Sequence, residues 1–244
     1  MDRIYTNADD FGIDDLNEGG VFLVDKPQHW TSFDVVNKLR YSIRHVLGRK
    51  KYKIGHAGTL DPLATGLLII CFSKYTKKIE LLTKKDKRYT GSFKLWATTP
   101  CYDAELPVDV YYPNKRYDQD QLLAVAQSLS GEIDQIPPLY SAIKKNGVPL
   151  YRLARRGDKT EIKSRRIIIK SLSIDADDYP NIAFDVSCSK GTYIRSLAYD
   201  FGLRLGNGAY LSSLRRIAVG DYSVDDSWHL QDLVDQISIL EKSL

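Results

Sequence analysis

Asp61 stands in the segment GHAGTLDPLATG, residues 55–66, between Leu60 and Pro62 and bordered by glycines. Glycine allows tight turns and close approach of a ligand, and a residue that precedes proline is held extended. A carboxylate presented rigidly from such a loop is a candidate general base or nucleophile. The ordinary alternative is an Asp that closes the next turn through its own backbone. Asp61 is the sole acid between Lys38 and Glu80, in a stretch rich in Lys and Arg, and opposite charge holds a carboxylate ionised. Arg195, in GTYIRS behind a Gly-Thr helix start, is a candidate partner for it; a phosphate contact or a surface cation is the other reading. Tyr89 in KRYTG and Tyr193 in GTYIR lie beside basic residues, where an aromatic ring can stack on a base or simply pack in a sheet. Leu214 with Arg215 and Arg216, in LSSLRRI, reads as core followed by surface charge.

Other chemistries lack their residues. There is no G-x-x-x-x-G-K-[ST] and no helix-opening G-x-G-x-x-G for a nucleotide, and no G-x-S-x-G for a serine hydrolase. The four histidines have no H-x-x-x-H spacing, and Cys71, Cys101 and Cys188 form no close pair, so neither a metal site nor a disulfide scaffold is expected. A glycosidase-type hydrolase would need a second carboxylate, and none lies near Asp61 in sequence.

The 244 residues carry a net charge of only +4, but the charge is segregated. Residues 40–95 hold fourteen Lys/Arg against three acids, and residues 141–173 hold ten against two; residues 1–20, 96–140 and 221–244 are each acidic by five charges. Two strong basic blocks point to a polyanion partner such as nucleic acid. The longest near-apolar run, Leu63 to Phe72, is half of what a membrane helix needs, and no basic-then-apolar leader opens the chain. A cytoplasmic protein without membrane contact is expected.

The elements that must position these residues follow from local patterns. Residues 1–20 lack apolar periodicity and read as an acidic tail. Val21–Val24 predicts a strand, and Thr31 with Asp34 predicts a helix start running to about Val46. A basic loop at 49–53 leads into the Gly-rich segment, and Leu67–Phe72 predicts a buried strand. Ser73 is expected to cap a basic helix to about Leu82. Tyr89–Ala97 alternates as a strand, Asp118–Gly131 is a helix, and 135–165 is a protruding segment with a short helix near Leu150–Arg156. Strands at 167–174 and 182–188, a helix from Gly191-Thr192 to about Leu205 and a final amphipathic helix at 228–241 complete the chain. The mixture has no βαβ rhythm, which predicts an α+β fold.

Taken together, VFLVDKP, GHAGTLDPLATG, KRYTG, EIDQIPPLYSAIK, CSKGTYIRSLA and GAYLSSLRR, in this order over about Val21 to Tyr222, resemble the bacterial tRNA pseudouridine synthases of the TruB type. PLATG looks more like the stand-alone bacterial enzymes than their guide-RNA-directed relatives. The resemblance implies a mixed, largely antiparallel central sheet with flanking helices and an RNA-clamping insertion at about 135–165. It implies one catalytic domain over 21–244 with no C-terminal PUA domain. The implied activity converts one uridine in the T-loop of tRNA, position 55 of the RNA, to pseudouridine by base flipping, glycosidic cleavage and reattachment through C5, with no cofactor and no metal. Asp61 is then the catalytic carboxylate, Tyr89 packs on the target base, Arg195 pairs with the aspartate, and Tyr193 and Leu214 line the uracil pocket. His56, Lys26, Lys144 and Arg152 become RNA contacts, and the partner is the T-arm of tRNA, bound by a monomer. Against the family pattern T-D-T-x-D-x-x-G, the stretch ATTPCYDAE keeps Asp103 and has Pro100 in place of the first Asp. A non-catalytic tRNA-binding or folding module is the alternative that the same basic blocks would serve.

Overall fold

The computed structural model describes residues 3–145, 147–157 and 161–243. The chain forms two compact units, Met1–Tyr89 with Arg215–Leu244, and Thr90–Leu214. The chain leaves the first unit at Tyr89 and returns to it at Arg215.

The first unit is built on strand Thr65–Ser73, antiparallel to Gly19–Lys26. The apolar run reads as a two-sided core strand, and it is one. Leu68, Ile70 and Phe72 face a cluster with Phe22, Val24 and the helices Ser32–Val46 and Leu230–Ile239. Leu67, Ile69 and Cys71 face another with Val21, Leu23, Ala57, Leu82 and Val219. Each fully buried Leu, Ile or Phe contributes about 1.5–3 kcal/mol, so this strand anchors the unit. Arg215 and Arg216 pair in parallel with Thr65 and Gly66. Ile54–His56 adds an antiparallel strand on the same partner.

The Ser32–Val46 helix begins as expected. Thr31 accepts the Asp34 amide, and the Asp34 carboxylate accepts the Thr31 amide in return. Such a reciprocal box satisfies two amides that a helix start leaves open. Ser73 does not cap the next helix. Its φ is +51°, its hydroxyl donates to the Asn17 carbonyl, and a 3₁₀ turn, Lys74–Lys78, precedes the helix Ile79–Thr83.

The acidic N-terminus is not a tail within the described residues 3–20. Ile4–Tyr5 pairs in parallel with Val21 and Phe22, and Ile13–Glu18 is a helix. Tyr5 and Leu16 are buried, and Tyr5 lies against Phe22 and Phe72. The apolar residues that fix this segment lie far along the chain, so a local window holds no period for them.

In the second unit, strands Asn181–Cys188, Arg165–Asp175 and Gly131–Gln135 run antiparallel in that order. Phe93 of strand Lys87–Leu95 stacks on Phe184 at 4.4 Å. Helix Gln119–Ser128 is boxed by Asp118 and Gln121, and helix Ile194–Arg204 carries Arg195 in its first turn. The short helix of the 135–165 segment is Leu150–Arg155, next to a hairpin of Lys144–Lys145 with Val148–Pro149; positions 146 and 158–160 of that segment lie outside the described residues. The architecture is α+β with mostly antiparallel pairing and flanking helices. All three cysteines are buried.

Asp200 adds a pH signature to this unit. Burial pushes its carboxyl up to about 6 from 3.8, against the pull of Arg204. A carboxyl raised on folding favours the folded state only while it is protonated, so stability falls as pH rises between 3.8 and about 6. Replacing Asp200 by Asn should therefore raise the melting temperature at pH 7 and leave it nearly unchanged at pH 4. An equal rise at both pH values would contradict this account.

Candidate active site

The Asp61 loop is fastened at three points within the first unit. Ser32, buried at the start of its helix, accepts the Leu60 amide at 2.8 Å and donates to the Leu60 carbonyl at 3.0 Å. The Pro62 carbonyl accepts the His29 amide at 2.8 Å and lies 3.4 Å from the Lys26 ammonium. Arg216 donates from Nε to the Leu67 carbonyl at 2.7 Å and from Nη2 to the Gly58 carbonyl at 3.0 Å. The Ala64 amide closes the turn on the Asp61 carbonyl. Gly66 completes the clamp: its φ is +100°, and a Cβ there would stand 2.3 Å from the Arg216 carbonyl oxygen. Only glycine fits. The residues on both sides of Asp61 are thus tied to buried groups, and the carboxylate is presented from a fixed backbone.

Two of the sequence readings change here. Arg216 is 1% exposed, so it is a buried clamp and not a surface charge. Lys26 has no exposed surface; its ammonium donates to the carbonyls of Pro27 and Trp30 as well as reaching Pro62. It pins the turn before the first long helix instead of meeting an RNA phosphate. Burial pulls its ammonium down to about 8, and Asp61 opposes that shift. The cation and the carboxylate therefore sense each other. Ser32 carried no sequence signal for this role, because a Ser behind a capping Thr reads as an ordinary first-turn residue.

His56, half-buried on strand Ile54–His56, has its pKa lowered, by burial first and by Arg216 second. It is a neutral imidazole at pH 7, suited to stacking and hydrogen bonding. Tyr89 is buried on strand Lys87–Leu95.

The remaining predicted site residues belong to the second unit. Arg195 is buried; its Nε lies 3.5 Å from Asp103 Oδ2, and its Nη1 donates to the Cys101 carbonyl at 3.2 Å. Asp103, the residue kept from the family pattern T-D-T-x-D-x-x-G and given no role in the sequence reading, is buried as well. Its Oδ1 accepts the Glu105 amide, and its carbonyl accepts the Thr99 hydroxyl at 2.6 Å. Pro100, where the family pattern has an Asp, is exposed; the neighbours Thr99 and Cys101 make the local bonds to Asp103. Tyr193 is fixed by a reciprocal pair with Gln135, whose side-chain amide accepts the Tyr193 amide at 2.8 Å and donates to its carbonyl at 3.0 Å. Leu214 is half-buried in the middle of strand Ala209–Val219, beside Ser213, on whose carbonyl Gly91 packs directly. Lys144 and Arg152 are exposed. Among the described residues no group of three or more His, Cys, Asp and Glu could hold a metal, and no helix is long and apolar enough to cross a membrane.

The Ser32 clamp carries a kinetic test of the expectation that Asp61 is the reacting carboxylate. A misplacement of about 1 Å at a reacting group costs on the order of 10²-fold in rate. Replacing Ser32 by Ala should lower kcat roughly tenfold or more, with KM little changed. A Thr at this position, which keeps the hydroxyl, should recover part of the rate. Unchanged kcat in the Ala variant would remove Ser32 from the positioning of Asp61.

The TruB family pseudouridylate synthase N-terminal domain matches residues 44–194, and the tRNA pseudouridylate synthase B C-terminal domain matches residues 195–243. The chain is 50% identical over 228 residues to a tRNA pseudouridine synthase B of Flavobacterium johnsoniae, covering 93% of this chain and 96% of that protein. It is 47% identical over 211 residues to the enzyme of the same name from Phocaeicola vulgatus, covering 86% and 90%. Among solved structures, a Cbf5–Nop10–Gar1 complex matches with a TM-score of 0.69 at 29% identity; the match covers 94% of this chain and 60% of that one. An H/ACA ribonucleoprotein bound to a substrate RNA containing 2′-deoxyuridine matches at 0.68 and 26% identity, over 96% of this chain and 58% of that one. Two family domains that together run from residue 44 to 243, on an α+β fold with a clamped aspartate loop, leave one assignment: the chain belongs to the TruB family of pseudouridylate synthases, isomerases that convert uridine in RNA to pseudouridine.

Proposed function

We propose that this chain isomerises one uridine in the T-loop of tRNA, with Asp61 as the catalytic carboxylate. The observation that carries the reading is the Asp61 loop itself, held by Ser32, Lys26 and Arg216 and bearing the family's motif. The net reaction breaks the N1–C1′ bond, turns the uracil and forms a C5–C1′ bond. The C5 proton leaves, and N1 gains a proton, so atoms and electrons balance without a redox partner. No step calls for a metal or a cofactor. The target base has to leave its stack to reach a protein side chain, at a cost of a few kcal/mol that stacking and hydrogen bonds offset.

Asp61 acts on the sugar, either by attack at C1′ or by removing a sugar proton, and both routes use the ionised form. Tyr89 stacks on the base, and its weakly acidic hydroxyl assists proton transfer at C5. Arg195, Tyr193 and Leu214 serve the same uridine, as their motifs imply. Neutral His56 supports the opened RNA loop, and exposed Lys144 and Arg152 meet the RNA backbone. The enzyme works as a monomer on the T-arm, in the cytoplasm.

The test is incubation with unmodified tRNA followed by chemical mapping of pseudouridine. One new pseudouridine in the T-loop supports the reading. Binding and refolding of tRNA with no isomerised base would favour a folding module, and release of free uracil would indicate a hydrolase.

A further inference from the structure

The helix Ser32–Val46 starts at the catalytic loop, through the Ser32–Leu60 bonds, and runs about 22 Å away from it. One face packs into the core through Val35, Val36, Leu39 and Ile43. Residues on the opposite side share a stripe at helical spacing: Phe33, Asn37, Arg40, Tyr41 and Arg44. Phe33 is 59% exposed and Tyr41 is 70% exposed. The two rings stand about two helical turns apart on the solvent face, and exposed rings on such a face are candidates for contact with a partner.

The charge around them says which kind. The Arg40 guanidinium sits 5.8 Å from the centre of the Phe33 ring, and the Tyr41 ring stacks on His45. Arg40 also donates to the Ile54 carbonyl, and Arg44 donates to the Arg49 carbonyl. The stripe is thereby joined to the loop that carries Arg49, Lys50, Lys51 and Lys53, all exposed, and that continues through Ile54 into His56. Asp34 on this helix is used in the helix cap, and the Glu241 carboxylate lies 3.2 Å from His45 Nε2, at the Tyr41 end of the stripe. Six cations and two exposed rings form one surface that ends at the RNA-facing histidine and at the Asp61 loop.

We infer that this surface is a docking track for the RNA backbone that flanks the reacting uridine, with the cations on phosphates and Phe33 and Tyr41 on sugars or an unstacked base. It rests on the reading that the chain acts on tRNA, and it names how that RNA is held outside the pocket. A basic, ring-bearing surface favours nucleic acid over a protein partner, because a protein docking face would be poor in like charge at its centre.

Two double variants test the track, with an unmodified tRNA transcript as substrate: Lys50→Ala with Lys51→Ala, and Phe33→Ala with Tyr41→Ala. All four side chains are exposed, so melting temperatures should match the parent protein. The lysine pair should raise KM roughly tenfold with kcat unchanged, and reduce the slope of log affinity against log salt by about 1.5. The ring pair should raise KM several-fold without changing that slope. If both variants keep the parental KM and salt slope while the parent makes pseudouridine, the surface is an ordinary solvated face and the inference is overturned. If the parent protein itself makes no pseudouridine on tRNA, it is the functional reading that fails.

Discussion

Replacing Asp61 by Asn is expected to abolish pseudouridine formation while leaving tRNA affinity within a few-fold of the parent. The substitution is nearly isosteric and removes only the ionisable oxygen. General acid–base groups contribute about 10²–10⁴-fold and a lost nucleophile costs more, so the drop should be on the order of 10³-fold or greater. The loop backbone is held by Ser32, Arg216 and the Pro62 carbonyl bonds, none of which depends on the Asp61 side chain. The folded structure should therefore persist, and melting temperature and filter binding check that separately from chemical mapping. Asp61→Ala guards against slow reversion of Asn to Asp. An Asn variant that modifies tRNA at the parental rate would remove Asp61 from the chemistry.

The second large effect is expected at Arg195. Its side chain and that of Asp103 are each 6% exposed. Burying two charges costs several kcal/mol per ion, and their attraction offsets this only while both are present. Replacing Arg195 by Met takes the cation away from a buried carboxylate, which should destabilise the second unit by about 3–5 kcal/mol. Pairing that change with Asp103→Leu removes the stranded charge, and most of the lost stability should return. Activity should not return, since an apolar pair leaves out the cation that the GTYIR motif brings to the proposed active site. Chemical denaturation and single-turnover kinetics on the two variants separate these effects. A single variant as stable as the parent would show that the pair contributes nothing to folding, and a double variant with restored rate would remove Arg195 from catalysis.

What could be read from the amino-acid order depended on the range of the interaction. The Thr31–Asp34 box and the Asp118–Gln121 box are signals written within four residues, and both helices start where those residues stand. The two-sided strand Thr65–Ser73 announced itself by an unbroken apolar run. Asp61 was visible because Gly, Pro and a lone acid in a basic stretch form a local anomaly. The N-terminal strand and helix were invisible because Tyr5 finds its partners at Phe22 and Phe72. Arg216 was misread for the same reason, since a buried arginine cannot be told from a surface one until Gly58 and Leu67 are seen to face it. Lys26 was expected to meet RNA because it matches the lysine of the D-K-P block, and nothing local to that block shows that three carbonyls enclose its ammonium.

The clamp from Arg216 to Gly58 also carries an order in time. The bond spans 158 residues, and the unit to which both belong is interrupted by the whole of Thr90–Leu214. On a ribosome the first 89 residues emerge without the strand that fixes their Asp61 loop, whereas residues 90–214 are contiguous and can close as soon as they are out. Domains generally fold as units as they emerge, and distant pairings wait for their loop-closure cost to be met. The uninterrupted unit is then complete first, and the Asp61 loop is locked only when the chain has been synthesised past Arg216.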